Sequence, residues 1–146
     1  MTNEARNVAL VRAAYEAWSD SKGASTQQWL ELMSHGVCFR SLAGGAPGLE
    51  FSRECAKRDD VARYFAELAR DWEMIHYTVD ELIAQGDRVV MLGSCGWRHR
   101  HSGRSVETPK ADFLRMQDGK VVEFFEFYDT AKAIAAASVA AQTAPA

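Results

Sequence analysis

Cysteine is scarce in this sequence and follows no motif. The three cysteines, Cys38, Cys55 and Cys95, are odd in number and lack the spacing of a metal site. Such usage is typical of a reducing compartment, because disulfide bonds persist mainly in oxidising ones. We therefore expect a cytoplasmic protein whose cysteines are reduced.

Long apolar runs and an excess of basic residues are also missing. The N-terminal residues MTNEARNV are polar, unlike a secretory signal, and no apolar run approaches the length of a membrane-spanning helix. The net charge is −3 at pH 7, and the sequence has no cluster of Lys and Arg. Neither feature indicates binding to nucleic acid or to an acidic membrane surface. The expected partners therefore include neither nucleic acid nor a membrane.

The remaining composition is ordinary for one folded domain. The 146 residues are 47% hydrophobic and 25% charged, which is enough for a sizeable core without cross-links. We expect a single domain over residues 1–146. Its Ala-rich end, residues 131–146, predicts a helix that frays into a flexible tail from about residue 138.

Hydrophobic periodicity predicts an α+β fold with the element order α-α-β-α-β-β-β-β. A curved antiparallel sheet, covered on its concave side by three helices, would form a cone around an apolar pocket. The predicted elements are a helix over 4–19 capped by Asn3, a short helix with capping-box residues Ser25 and Gln28, a strand over 37–42, a helix from Asp59 or Asp60 to about Trp72, strands over 75–84, 88–101 and 104–116, and a final hairpin strand.

The stretch ADFLRMQDGKVVEFFEFYDT, residues 111–130, predicts that final β-hairpin around Asp118 and Gly119. A three-residue loop with Gly119 at positive φ would place Met116 opposite Lys120. Alternation then assigns to the pocket face Lys110, Asp112, Leu114, Met116, Val122, Phe124, Glu126 and Tyr128.

Two consequences follow from this hairpin register. Asp112 and Glu126 would lie diagonally across the strands among apolar side chains, where desolvation raises the pKa of a carboxyl such as Asp112. The opposite, convex face would carry Phe113, Phe125 and Phe127, which are too apolar to be left in water. Their exposure predicts a two-fold homodimer through this face.

The preceding strand brings further side chains to the pocket face. If His101 pairs with Arg104, Cys95 lies opposite Lys110 and Gly93 opposite Asp112. Alternation then continues the same face through Trp97 and His99. Trp97 and Tyr128 are interpreted as pocket walls, and Trp18, Trp29 and Trp72 as helix core.

The chain resembles the nuclear transport factor 2-like superfamily, which includes ketosteroid isomerase, SnoaL-like polyketide cyclases and limonene epoxide hydrolase. The resemblance rests on the Asp-x-x-Arg motif of Asp112 to Arg115, the Asp-Gly-Lys turn, the FEFYDT ending, the Gly-Asp-Arg-Val-Val of Gly86 to Val90 and the amphipathic N-terminal helices. It covers nearly the whole chain and implies a SnoaL-like domain. It specifies the fold better than the activity, because this scaffold carries many functions.

The resemblance assigns roles to two carboxyl groups. Asp112 matches the oxyanion-hole aspartic acid of ketosteroid isomerase, which its apolar site keeps protonated; the alternative is an ion pair with Lys110 or an arginine. Glu126 matches an acidic catalytic position of limonene epoxide hydrolase. The other two parts of that enzyme's site, an arginine and an aspartate on a strand, align with Gly93 and Cys95 of this chain. Its epoxide hydrolysis is therefore not expected here.

The ketosteroid isomerase base falls near Ser41, which cannot take a proton at neutral pH. That enzyme's oxyanion tyrosine aligns with Tyr15 or its neighbour Ala14. His99 is the first candidate to replace the missing base, and His76 and His101 are weaker candidates, because the unperturbed pKa of a histidine lies near neutrality. The His99 and His101 pair lacks a third ligand with readable spacing, so no metal and no cofactor are expected.

The sequence therefore predicts a cofactor-free isomerase, cyclase or lyase that acts on a small hydrophobic carbonyl compound. Glu126 is assigned as the base, Asp112 as the protonated acid and Tyr15 as an enolate stabiliser. Two alternatives are a hydrophobic-ligand-binding protein without chemistry and an interaction domain with a filled cone. The expected ligand-binding residues are Trp97, Cys95, Lys110, Leu114, Phe124 and Tyr128.

Overall fold

The computed structural model describes residues 1–138, and within that range it contains four α-helices and five β-strands. These elements are α1 (Asn3–Asp20), α2 (Thr26–Leu32), β1 (Met33–Ser41), a 3₁₀ turn (Glu50–Ser52), α3 (Arg58–Asp71), β2 (Trp72–Gln85), β3 (Arg88–His99), β4 (Ser105–Gln117), β5 (Lys120–Tyr128) and α4 (Thr130–Ala137). The predicted α+β cone with a curved, unclosed sheet is confirmed. The predicted flexible tail beyond residue 138 lies outside the described residues.

The helices form where apolar residues recur at three- and four-residue steps. In α1 this stripe buries Val11, Ala14, Tyr15 and Trp18, and in α3 it buries the residues Val61, Tyr64, Phe65 and Leu68. Both stripes pack on the sheet and leave the charged sides of the helices in solvent. No helix in residues 1–138 is long and apolar enough to cross a membrane.

The predicted helix caps agree with the structure less well than the predicted helices do. The N-cap of α1 is Thr2, whose hydroxyl accepts a hydrogen bond from the Ala5 amide at 3.0 Å, so the Asn3 prediction was wrong by one residue. Ser25 precedes α2 without making a side-chain cap. Asp129 caps α4, because its carboxylate accepts a hydrogen bond from the Lys132 amide at 3.0 Å.

The five strands form one sheet in the order β1-β5-β4-β3-β2. Consecutive strands β2 to β5 pair antiparallel, as short connections require. The exception to the predicted antiparallel sheet is β1, which pairs parallel to β5. These two strands are far apart in sequence, so no hairpin constrains their relative direction.

Irregular pairing between β2 and β3 accompanies the curvature of the sheet. The register shifts between Met74 and His76 and again between Val79 and Glu81, and such bulges bend and twist a strand. Gly93 lies against the second bulge, where a Cβ atom would collide with the carbonyl oxygen of Thr78. A glycine at this position therefore permits the close approach of the two backbones.

The turn between β4 and β5 corrects the predicted hairpin register. Gln117 pairs with Lys120, so the loop contains two residues, Asp118 at φ 50° and Gly119 at φ 76°. Two positive φ values are those of a type I′ turn, whose twist suits a hairpin. A three-residue loop with Met116 opposite Lys120 was therefore wrong.

A bulge in β5 then moves the two carboxylates into direct opposition. Met116 pairs with Val121 and Arg115 with Glu123, which leaves Val122 as the extra residue. Beyond this bulge Asp112 pairs with Glu126 instead of lying diagonal to it. Val121 replaces Val122 on the buried face, where it is fully buried.

The pairing of β3 with β4 differs from the prediction by two residues. Cys95 pairs with Thr108, Gly93 with Lys110, and Met91 with Asp112. A two-residue shift preserves which side chains share a face. The side chains predicted to share the pocket face therefore do share one face, although the predicted register is wrong.

Three phenylalanines lie on the other face of the β4–β5 hairpin. Phe113 and Phe125 are half-buried, and Phe127 is 39% exposed. The rings of Phe125 and Phe127 stack with centroids 4.4 Å apart, and the Arg40 guanidinium lies 4.3 Å from the centroid of Phe125. This contiguous apolar surface is the one expected to pair with a second copy.

We predict that replacing Phe127 with glutamate converts a homodimer into a monomer. Full burial of a phenylalanine side chain stabilises an interface by about 1.5–3 kcal/mol, and a buried unpaired carboxylate opposes association. Sedimentation velocity at micromolar concentration measures the change. Leu10→Glu, an exposed apolar position on α1, is the matched control and should leave the dimer intact. A wild-type monomer under these conditions contradicts the prediction.

Candidate functional site

A cavity lies between the concave face of the sheet and helices α1 and α3. The space that the centre of a water-sized sphere can occupy measures about 90 Å³, whereas one water requires roughly 10–15 Å³ by that measure. The cavity therefore has room for several waters or a small organic molecule. The aromatic residues that line it are Tyr15, Trp18, Trp29, Phe39, Phe51, Tyr64, Phe65, Trp72, Tyr77, Trp97, Phe124 and Tyr128.

Charged side chains in the cavity wall form one cluster centred on Lys110. The Lys110 ammonium lies 2.5 Å from Asp112 Oδ1 and 3.0 Å from Glu126 Oε2. All three side chains are at least nine-tenths buried. Alternation along β4 points Lys110 and Asp112 to the same face, and the observed hairpin register supplies Glu126 from β5. The alternative reading of Asp112, an ion pair with Lys110, is the contact observed.

Three tyrosine hydroxyl groups complete the cluster. Tyr15 from α1 donates to Asp112 Oδ2 at 2.6 Å, and Tyr77 from β2 donates to the same oxygen at 3.2 Å. Tyr64 from α3 donates to Glu126 Oε1 at 2.6 Å. Three of the four carboxylate oxygens therefore accept a hydrogen bond, and the fourth, Glu126 Oε2, is paired with the Lys110 charge, which offsets the loss of water.

Burial and charge act in opposite directions on this cluster. Burial raises the pKa of Asp112, and the Glu126 carboxylate adds to the rise, while the charge of Lys110 and the hydrogen bonds from Lys110 and Tyr15 oppose it. Burial alone would lower the pKa of the Lys110 ammonium, but Asp112 and Glu126 outweigh burial and hold this pKa well above its usual value. Lys110 is therefore a cation and a hydrogen-bond donor at neutral pH, not an amine nucleophile.

The tyrosines keep their protons for related reasons. Burial, followed by the negative charge of the carboxylate beside each, holds the pKa of Tyr15, Tyr64 and Tyr77 well above the usual value. Burial also raises the pKa of Tyr128 to about 12, and the hydroxyls of Tyr128 and Ser41 are hydrogen-bonded at 2.7 Å. All four phenols are therefore neutral and able to donate hydrogen bonds.

Most side chains that the sequence singles out are brought together in this cavity. The predicted site residues that line it are Tyr15, Cys95, Trp97, Lys110, Asp112, Phe124, Glu126 and Tyr128. Burial raises the pKa of the Cys95 thiol to about 11, so this residue is an unreactive part of the wall. Trp18, Trp29 and Trp72, which were interpreted only as helix core, also line the cavity, and Trp72 belongs to β2.

Two predicted site residues lie elsewhere. Leu114 is fully buried in the core without lining the cavity. His99 lies at the end of β3, where its ring packs edge-on against Trp72 at 4.8 Å and its Nδ1 accepts from the Ser102 amide at 3.1 Å. Burial, followed by the nearby His101, lowers the pKa of His99. Its alternation with Trp97 is correct, but His99 is the last residue of β3 and its ring packs against Trp72 instead of lining the cavity.

Sequence reasoning missed Tyr64 and Tyr77 as site residues. Neither residue was singled out within its predicted helix or strand. The sequence did contain an indication of their role, because a tyrosine hydroxyl that is buried on an apolar face needs a hydrogen-bond partner. The carboxylates of β4 and β5 supply that partner to both residues.

Comparison with a family model gives the description "SnoaL-like domain" for residues 11–124. No curated protein matches the chain. Among solved structures, an NTF2-like protein of unknown function from Burkholderia pseudomallei is 24% identical with a TM-score of 0.81, and the match covers 94% of this chain and 99% of that one.

Two further structures extend the same likeness. A protein from Jannaschia sp. CCS1, proposed to be a SnoaL-like polyketide cyclase, is 18% identical with a TM-score of 0.77, and the match covers 99% of this chain and 97% of that one. A hypothetical protein with a ketosteroid isomerase-like fold from Catenulispora acidiphila, in complex with trimethylamine, is 17% identical with a TM-score of 0.72 over 93% of this chain and 97% of that one. At these identities the structural likeness shows the fold alone.

We predict that Lys110→Met lowers the free energy of unfolding by about 3–5 kcal/mol, because it leaves two buried carboxylates without a counter-charge. Urea unfolding followed by tryptophan fluorescence measures the loss. Adding Asp112→Asn and Glu126→Gln to Lys110→Met should restore part of it, since the unpaired charges are then removed. Lys132→Met, at an exposed position of α4, is the control and should change stability by less than about 0.5 kcal/mol. An equally small effect of Lys110→Met would contradict a coupled charge cluster.

A further prediction concerns the stability of the folded state at alkaline pH. The unfolded chain releases lysine and tyrosine protons near pH 10, whereas the raised pKa values of Lys110, Tyr15, Tyr64 and Tyr77 keep those protons bound in the folded state. Raising the pH above about 10 therefore favours the unfolded chain. Urea unfolding between pH 7 and 11 should show stability falling above pH 10, with a shallower fall for Tyr64→Phe. A flat profile to pH 11 would refute this linkage.

Proposed function

The chain belongs to the family of SnoaL-like domains, and we propose that it catalyses proton transfer on a small hydrophobic carbonyl compound. The reaction class is a cofactor-free isomerisation, cyclisation or elimination. The observation that carries this proposal is the buried cluster of Lys110, Asp112 and Glu126, which lies in the wall of an otherwise apolar cavity. Titratable groups in such surroundings are typical of acid–base sites.

The contacts favour Glu126 as the general base. Glu126 accepts a hydrogen bond from Tyr64 on Oε1 and forms an ion pair with Lys110 through Oε2, so each oxygen retains a lone pair for a substrate proton. The residue is 6% exposed, against 1% for Asp112. A base must reach the carbon acid directly, and Glu126 is the less enclosed of the two carboxylates.

The contacts favour Lys110, rather than Asp112, as the acid that faces the developing oxyanion. All three partners of Asp112 are donors, namely Lys110, Tyr15 and Tyr77. A protonated Asp112 would require one of these donors to turn away or, for a tyrosine, to accept instead of donate. The role assigned to Asp112 is therefore to orient Lys110, whose ammonium has a further N–H for the oxyanion. Tyr15 has a single proton, so it can donate to the oxyanion only by turning away from Asp112 Oδ2, where Tyr77 remains bound.

The proposed step balances without another reactant. Glu126 removes a proton from the carbon next to the substrate carbonyl, and the C–H electron pair moves to form an enolate. The negative charge that develops on the carbonyl oxygen is stabilised by Lys110, and by Tyr15 once its hydroxyl turns from Asp112. In a conjugated enolate, return of the proton from Glu126 to the far carbon completes an isomerisation. Attack of the enolate carbon on a second carbonyl group closes a ring instead, and Glu126 then gives its proton to the new alkoxide.

A non-catalytic ligand-binding protein is the second candidate, because the same cavity would bind a hydrophobic molecule without any reaction. The neighbour from Catenulispora acidiphila is in complex with trimethylamine, so at least one protein of this fold holds a small organic molecule. The two candidates differ in a measurable property, namely the exchange of substrate protons with solvent.

We predict that the protein accelerates exchange of the α-protons of small ketones and diketones for deuterium, as measured by ¹H NMR in deuterated buffer. Glu126→Gln should lower the exchange rate by roughly 10²–10⁴-fold, the usual contribution of a general base, while binding of these uncharged ketones changes little. Asp112→Asn should keep the fold, because Asn fills a similar volume and can hydrogen-bond, but should weaken binding or exchange.

His99→Gln is the matched control for this experiment. His99 was the rival candidate for the base, yet it lies outside the cavity, so the exchange rate should remain near that of the wild type. Binding without accelerated exchange across the ketone panel would favour the second candidate. Loss of exchange in His99→Gln, with Glu126→Gln unaffected, would overturn the assignment of the base.

A further inference from the structure

The cavity wall contains more negative than positive charge. Among the described residues that line it, the charged side chains are Asp112, Glu126 and Lys110. With all three ionised the cluster carries a net charge of −1, and the rest of the wall is almost entirely apolar. An unbalanced charge in such surroundings is unfavourable unless a proton or another cation compensates it.

The hydrogen bonds argue against a proton as the usual compensation. Asp112 accepts from Lys110 on Oδ1 and from Tyr15 and Tyr77 on Oδ2. Glu126 accepts from Tyr64 on Oε1 and contacts Lys110 through Oε2. A proton on either carboxyl group would require Lys110 to lose a contact or a tyrosine hydroxyl to turn and accept instead of donate, so at least one of these contacts would have to reorganise. The arrangement therefore suits two ionised carboxylates and leaves one negative charge to be balanced.

The aromatic lining provides surroundings that attract a cation. The ring of Trp18 lies 5.4 Å from that of Phe65 and 6.5 Å from that of Trp97, and the ring planes are tilted by about half a right angle in both pairs. Aromatic faces carry negative electrostatic potential, and clustered rings recognise ammonium groups for that reason. The Lys110 ammonium itself lies 5.6 Å from the centroid of Tyr77.

We propose that the ligand of this cavity carries one positive charge, as a protonated small amine or a quaternary ammonium group. The carboxylates Asp112 and Glu126 supply the counter-charge, and the packed rings of Trp18, Phe65 and Trp97 form an aromatic wall of the same cavity that the cationic group can contact. The inference rests on the proposed function and narrows its substrate class to a small carbonyl compound that also bears an amine or ammonium group.

The test compares choline with 3,3-dimethylbutan-1-ol, which has the same shape but a carbon atom in place of the charged nitrogen. Binding of each is measured at pH 7 by titration followed in ¹H–¹⁵N NMR spectra, which also report whether each variant is folded. Choline should bind at least about tenfold more tightly than the alcohol, a preference in the range of a desolvated cation–aromatic contact.

Three variants separate charge from shape. Asp112→Asn and Glu126→Gln should each weaken choline binding by about tenfold and change alcohol binding by less than about twofold. Trp97→Leu, at a half-buried position, should weaken choline binding several-fold through loss of one ring. Glu81→Gln is the control, because it removes one negative charge from an exposed position of β2 and should leave both affinities unchanged.

The outcomes distinguish this inference from the function on which it rests. If the alcohol binds as tightly as choline, or if neither carboxylate variant weakens choline binding, the charge assignment is wrong and the cavity remains a site for neutral ligands. If neither compound binds and the ketone panel also fails to bind, both the charge assignment and the proposed function are overturned.

Discussion

Lys110 is held between two carboxylates inside an apolar cavity, and the positions of the surrounding elements depend on that contact. Removing three charges from water costs several kcal/mol per ion, so the cluster is tolerable only when nearly every donor and acceptor is satisfied. The partners come from separate parts of the fold: Tyr15 from α1, Tyr64 from α3 and Tyr77 from β2. The cluster therefore links the helices and the far strand of the sheet to the β4–β5 hairpin.

The hairpin itself determines whether the cluster can form. A two-residue turn and a bulge at Val122 place Asp112 directly opposite Glu126, so one ammonium can reach both carboxylates from the same face. A slip of one residue would turn Glu126 to the convex side, next to the phenylalanines. The turn is thus a structural requirement of the site, although it lies at the opposite end of the hairpin.

A buried ion cluster of this kind is weak evidence for stability, because apolar residues of similar volume often stabilise a core as well or better. The free-energy cost of burying these charges is explained more readily if the charges act on a ligand. The SnoaL-like fold supplies a concave sheet and a cavity but does not specify a reaction. We therefore expect any chemistry of this chain to depend on its own side chains. The resemblance puts the base of ketosteroid isomerase near Ser41, which is not a base, and in this chain a lysine joins the two acids.

The sequence by itself determined the faces of its elements. Alternation placed Lys110, Asp112 and Glu126 on the concave side, and helical periodicity placed Tyr15 there as well, because these patterns depend only on local backbone geometry. The order of the predicted elements indicated the cone, the family resemblance agreed with it, and the family match and the solved structures support it.

Only the tertiary structure decided which of these side chains meet. It set the hairpin register, the parallel pairing of β1 with β5 and the end of β3 that keeps His99 out of the cavity. It also brought Tyr64 and Tyr77 to the carboxylates and made Lys110 their common partner. Turn conformation, bulges and contacts between distant elements are settled by the packing of the whole chain, and local periodicity carries no information about them.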